Sequence, residues 1–479
     1  MRLFSWLREQ DNTTELSQPS WRGLLAWLLA AVSVGSGSAG FVGSTSWGTG
    51  EIMGFIALRA LKGFTLVLLF TGIAAVPVRA DVAYSWGVNS LGELGNGTPG
   101  FAIATPAAVS VLTSNVSAIA AGGSSGLAVQ NGGVYGWGLN DSGQVGDGTT
   151  TPSIRPAPVA LTGDLSSGVS AVAGGQRYSL AVRNGGVYAW GNNAYGQMGN
   201  GTTTPLVQPT PVALTGDLSS GVTAISAGQR HSLALRNGGV YAWGSNFQGQ
   251  LGDGTTMPQV QPTPVALTGL MSSGVTAVSA GHFHSLALRS GGVYAWGSNT
   301  DGELGDGSMT DRNAPVTLTG LMSSGVTAVA AGNRFSLAVR NGGVYAWGNN
   351  PGGQLGDGTM TDTSIPEQID PADLHDIVAV AAGQYSSYAL SSDGSIWDWG
   401  FNDAGQLGLG TFVNRNYLTP QHLLPPIGYR FTSIAPGTLA SFAVATVAAV
   451  PEPSTLALAG IAMLTLFTRA SRWRRATTR

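Results

Sequence analysis

Between residues 81 and 446 seven Trp-Gly pairs recur, beginning at Trp86, Trp137, Trp190, Trp243, Trp296, Trp347 and Trp399, with spacings of 51, 53, 53, 53, 51 and 52 residues. Each sits in a recurring phrase such as GGVYAWGSNFQGQLGDGT at 238–255. A fixed period near fifty restricts the fold to propeller blades, a solenoid or an array. The runs within one period decide among these. GVTAISAG (221–228), HSLALR (231–236), GGVYAWG (238–244) and QPTPVAL (261–267) are short and rich in strand formers. Asn237-Gly238 between the second and third runs predicts a two-residue hairpin, because both residues accept the positive φ it needs. The same pair stands at Asn131, Asn184 and Asn341. Four strands per period make a propeller blade.

The count of half-repeats predicts how the ring closes. The pattern AG…LAV recurs at 119–129, 171–182, 224–235, 277–288, 328–339 and 379–390, and more loosely at 434–444. A Trp-Gly half at 82–87 has no partner before it, and the half at 433–444 has none after it. Joined, they complete an all-β, seven-bladed propeller of four-stranded blades over 81–446 and remove two exposed sheet edges.

Composition agrees with a packed repeat. The chain is 43% hydrophobic with 13 Trp, so its 72 Gly need not mean disorder. No Cys is present, which excludes disulfides and thiolate metal sites. Each repeat Trp is expected to bury between blades, while the glycines turn the backbone sharply. Asp147, Asp253, Asp306 and Asp357 each precede a Gly. They read as turn residues, because no second acidic ligand recurs at the spacing a calcium site requires.

The ends of the chain read as addresses. From Met53, MGFIALRALKGFTLVLLFTGIAAVPVRA has a basic n-region (Arg59, Lys62), an apolar stretch at 64–76 and a small-residue cleavage site before Asp81, at Ala80. A signal peptide over 53–80 is therefore expected, with 1–52 a mis-assigned or variable extension. The alternative is a genuine extension in which 24–34 is a second membrane-seeking segment. The other end, 447–479, reads VPEPSTLALAGIAMLTLFTRASRWRRATTR from Val450. Pro451, Glu452 and Pro453 precede an apolar run at 456–467 and an Arg cluster at Arg469, Arg472, Arg474 and Arg475. This order resembles the PEP-CTERM sorting signal of Gram-negative bacteria; a plain tail anchor is the alternative. The resemblance implies export, transient inner-membrane anchoring through a short C-terminal helix, and an exosortase-type processing enzyme as a partner. Release to the cell surface or the extracellular matrix would follow.

The repeat itself, AGQRHSLALRNGGVYAWGSNFQGQLGDGT at 227–255, resembles that of the regulator of chromosome condensation family. A WD-type propeller is the alternative, but Trp397-Asp398 falls two residues before the repeat's own Trp399-Gly400. The resemblance implies partners as different as a GTPase with chromatin and, in a secreted relative, β-lactamases clamped by one face of the ring. Charge separates them. Residues 81–446 hold 11 Arg, no Lys and 20 acidic residues, a net charge of −9, which is a poor surface for phosphate backbones. No nucleic-acid partner is expected, and guanine-nucleotide exchange conflicts with export.

Candidate chemistry is sparse. No H-E-x-x-H occurs, and the five His include His231 and His284 at one blade position, with His282 nearby. They read as packing residues of the repeat, so no metal, cofactor or catalytic residue is expected. Variable positions after the repeat's Gly are more informative: Arg177-Tyr178, Arg230-His231, Phe283-His284, Arg334-Phe335 and Tyr385-Ser386. Arg and aromatics are enriched at binding hot spots, and equivalent blade positions fall on a circle. The pairs Ala194-Tyr195, Phe247-Gln248, Thr300-Asp301 and Pro351-Gly352 vary likewise. Two functions remain: a non-catalytic propeller binding an extracellular protein or glycan, and a polysaccharide-acting enzyme, which would need paired carboxylates at the mouth.

Overall fold

A computed structural model describes residues 81–448, except 258, 370–373, 413–415 and 439, together with the strands Gly54–Ala60 and Phe64–Phe70. Those two strands pair antiparallel within a unit spanning Met1–Val76. The expected cleavage residue Ala80, the sorting residues 451–453 and the Arg cluster lie outside the described residues.

The remainder is a ring of seven four-stranded antiparallel sheets. Within each blade the strands, here A to D, run outward from the central channel. Blade 1 assembles Tyr429–Pro436 (A) and Ala440–Val447 (B) from the C-terminal part with Val82–Gly87 (C) and Ile103–Ala108 (D) from the N-terminal part. Blades 2 to 7 span 116–160, 169–213, 222–266, 275–317, 326–368 and 377–423. The two orphan halves thus join as expected, with Trp86 opposite Ser441 in the register.

Strand direction gives the ring two unlike faces. The A–B and C–D loops share one, here the loop face; the B–C turns and D–A connections share the other, the hairpin face. At the B–C turns Asn131, Asn184, Asn237 and Asn341 have φ of 50–52° and the Gly after each is also positive, as the Asn-Gly pairs predict. Both ends of the propeller, at Val82 and Val447, lie on the hairpin face because strand C starts there and strand B finishes there.

There is no single core. Seven apolar clusters fill the seams between neighbouring blades, each built around one repeat Trp. All seven Trp side chains are fully buried. Each indole Nε1 donates to a backbone carbonyl of the preceding blade's C–D loop: Trp243 to Gln197 at 2.8 Å, Trp296 to Gln250 at 2.9 Å. The closing seam repeats the bond, from Trp86 to Gln406 at 2.7 Å across 320 residues. The glycines follow from that packing. Gly252 has φ +75°, and a Cβ there would sit 2.7 Å from the Trp296 ring. The loop aspartates do turn chemistry: Asp147 and Asp357 each accept from the amide and hydroxyl of the Thr two residues on, at 2.9–3.0 Å.

Candidate functional site

The A–B loops each carry a Gly followed by two variable residues, and the structure separates the roles of those two. The inner residues are Gln176, Gln229, His282, Gln384 and Thr438, which, with the loop glycines, line the mouth of the channel, a cavity of about 200 Å³. Burial lowers the His282 pKa to about 4, so the ring is neutral at physiological pH. The mouth is therefore lined by uncharged hydrogen-bonding groups, and no carboxylate is among its described lining residues.

One step outward stand Arg177, Arg230, Phe283, Arg334 and Tyr385, lining two further hollows on the loop face. Sequence spacing placed these five on a circle, and the structure brings them to one. Their expected companions are elsewhere. Tyr178, His231, His284 and Phe335 each open a B strand and point into the seams, fully buried. Tyr178 Oη donates to the His231 carbonyl at 2.5 Å, while the imidazoles of His231 and His284 reach Ser285 and Ser336 of the next blade at 3.0 Å. Desolvation holds both histidines near a pKa of about 3, so they are neutral. These four residues plug seams and offer nothing to a partner. Among the described residues no group of three or more His, Asp or Glu converges as a metal site.

The A–B and C–D variable positions, far apart in the sequence, meet across the seams. Arg177 pairs with Asp141 of the preceding blade's C–D loop at 3.0 Å, and Arg334 pairs with Asp301 at 3.2 Å. Arg230 instead lies over the Tyr195 ring, 4.3 Å from its centroid, and Tyr195 meets Phe247 edge-on at 6.5 Å. Tyr385 shares a hollow with Pro351. The signal was present in the sequence: an acidic residue in one C–D loop precedes an Arg in the next A–B loop, twice.

One buried group lies apart from this face. Asp398 occupies the small-residue column of strand C, where Ala189, Ala242, Ala295 and Ala346 stand in other blades. It is fully buried in the described structure, neither carboxylate oxygen has a hydrogen-bond partner, and desolvation raises its pKa well above the usual range. Trp397 before it stacks on His422 at 4.5 Å, facing the other way.

Comparison with known proteins places this geometry. A model of the RCC1-like domain matches residues 31–374, and models of the regulator of chromosome condensation (RCC1) repeat match 377–406 and 393–444. A PEP-CTERM protein-sorting motif matches 449–475. The chain is 30% identical over 344 residues to the Ultraviolet-B receptor UVR8 of Arabidopsis thaliana, covering 70% of this chain and 77% of that one. It is 32% identical over 335 residues to the human E3 ubiquitin-protein ligase HERC2, where the match spans 68% of this chain but only 7% of the ligase. Among solved structures, human WBSCR16 superposes with a TM-score of 0.67 at 24% identity, covering 77% of this chain and 100% of that one. The yeast RCC1 (Prp20) complex with Kap60 gives 0.67 at 23%, covering 78% and 90%; at that identity the likeness shows the fold alone. Seven repeats with their Trp seams, the matched domain model and the C-terminal motif make this chain a member of the RCC1-like domain family that carries a PEP-CTERM sorting signal.

Proposed function

We propose that this protein is a non-catalytic binding propeller, exported and processed by an exosortase-type enzyme, which presents its loop face to a protein or glycan partner at the cell surface or in the extracellular matrix. The sorting motif supports export and processing at a membrane. In this reading the leader at 53–80 is removed before Asp81, and the run at 456–467 with the Arg cluster holds the precursor in the inner membrane until processing.

The observation that carries the binding reading is the arc of Arg177, Arg230, Phe283, Arg334 and Tyr385 around the channel mouth. Arg177 and Arg334 have about half of their side-chain surface exposed, and their ion pairs fix their direction. Residues held in place lose less entropy on binding. The mouth lining, without described carboxylates, supports binding over hydrolysis of a polysaccharide, which uses a pair of them.

The test is binding of the purified protein to extracellular matrix from its own cells. Arg230→Ala, Phe283→Ala and Arg334→Ala together should weaken binding at least tenfold while circular dichroism stays unchanged. A folded triple variant that binds like the parent would refute the assignment. Glu452→Ala should alter processing and leave binding intact.

A further inference from the structure

The propeller chain leaves from the hairpin face, and exposed apolar side chains stand on the connections on either side of its exit. Val447 pairs with Tyr429, and the Ala448 amide donates to the Gly428 carbonyl at 2.8 Å, so the exit adjoins the connection from blade 7 to blade 1. That connection carries Leu424, 66% exposed, and Ile427, fully exposed. On the other side, the Ala83 amide donates to the Leu112 carbonyl at 3.0 Å, which sets Val111 beside the same blade. Arg430 is exposed next to them and makes no ion pair among the described residues. Single exposed apolar side chains are ordinary, but Leu424 and Ile427 before blade 1, Val447 at the end of its strand B and Val111 after it all lie on the hairpin-face end of one blade.

Chain length gives this patch its occupant. The apolar run of the sorting signal begins at residue 456, eight residues beyond Ala448. An extended residue reaches at most about 3.6 Å, so the leash spans at most about 29 Å. With the run in a bilayer, the hairpin face is held close to the lipid and the loop face is directed away.

We propose that Val111, Leu424, Ile427 and Val447, with Arg430, form a membrane-seating surface. In the tagged precursor these side chains enter the headgroup region of an anionic bilayer, Arg430 meets lipid phosphate, and the propeller stands with its loop face outward. The proposal rests on the anchoring read from the sorting signal. Cleavage of the tag would leave a patch too small to hold the protein by itself, so seating is reversible by processing.

The absence of Cys permits a direct test with the full-length chain. Single variants Ile427→Cys, Phe101→Cys and Gly460→Cys, labelled with an environment-sensitive dye, would be reconstituted in vesicles of phosphatidylethanolamine and phosphatidylglycerol. Phe101 is 96% exposed on the loop face and serves as the water-facing control; residue 460 reports the tag. The expected result is a dye at 427 that is blue-shifted and several-fold less quenched by iodide than the dye at 101, with a dye at 460 quenched only by lipid-borne quencher. Adding Leu424→Asp to Ile427→Cys should return the dye at 427 toward water. A dye at 460 in lipid with 427 as wet as 101 would overturn the seating surface alone. A dye at 460 in water would overturn the anchoring, and the seating surface with it.

Discussion

The Arg230 guanidinium lies 4.3 Å from the centroid of the Tyr195 ring, and the two residues belong to neighbouring blades. The same seam-crossing position is filled by Arg177 with Asp141 and by Arg334 with Asp301. The loop face is therefore assembled by the ring rather than by any one blade: each of these three Arg side chains is held by a loop of the blade before it. A face of this kind requires the ring to be closed.

Closure itself is testable. Removing 433–444 takes half of strand A and most of strand B from blade 1 and removes Phe442 from the seam with Trp137, whose rings meet at 5.5 Å. It also exposes strand C as an unpaired edge. The expected outcome is loss of the cooperative melting transition of the whole propeller. A truncated chain that keeps the parent's midpoint would show that the blades are stable independently.

The seam Trp residues should dominate stability. Trp243→Ala removes a fully buried indole and its bond to Gln197, and is expected to cost about 3–5 kcal/mol in denaturant unfolding. Met257→Ala, at an exposed loop position, should stay within about 0.5 kcal/mol. Similar values for the two would contradict a fold carried by its seams.

The buried histidines predict acid sensitivity. Their pKa values are lowered to about 3 in the fold and return to about 6.5 in the unfolded chain, so the unfolded state binds more protons between these limits. Their contribution is complete above about pH 6.5 and is lost as pH falls toward 3, on the order of 2 kcal/mol per histidine at about pH 5. His231→Phe, which copies Phe335 of blade 6, should flatten that part of the stability profile. An unchanged profile would mean the imidazole is not neutral and buried.

Asp398 has the opposite sign. Burial raises its pKa well above the usual carboxylate range in the fold, while in the unfolded chain it is ordinary, so stability falls as pH rises from the ordinary carboxylate value toward the raised one, by about 1.4 kcal/mol per pH unit. Asp398→Ala, the residue of most other blades, should therefore raise the midpoint at neutral pH and change it little near pH 3. Destabilisation at neutral pH would mean that the carboxylate has a partner.

The fold was legible because its information is repeated. The Trp-Gly period, the Asn-Gly turns and the two unmatched halves each fix one element of the ring. The loop face was half legible. Equivalence under rotation put Arg177, Arg230 and Arg334 on one circle, but sequence grouped them with Tyr178, His231 and Phe335. The second residue of each pair opens strand B, where alternation turns it into the seam. Hydrophobicity does not mark that turn, since the seam accepts Tyr, His and Phe alike provided the next blade supplies a hydroxyl or an apolar wall. Asp398 stands in the sequence only as the second half of a Trp-Asp pair; its oddity shows only against the alanines of its column. The exit patch was invisible, because Val111 and Ile427 come to flank the same blade only through the strand pairing of blade 1.

The measurement that bears most directly on the binding assignment is amide hydrogen exchange of the full-length protein, with and without extracellular matrix from its own cells. Added protection is expected at the A–B loops around Arg177, Arg230, Phe283, Arg334 and Tyr385 and at the facing C–D loops around Tyr195 and Phe247. The Asn-Gly turns of the hairpin face should exchange unchanged. Protection confined to those turns, with the loop face exchanging as in the free protein, would contradict the account.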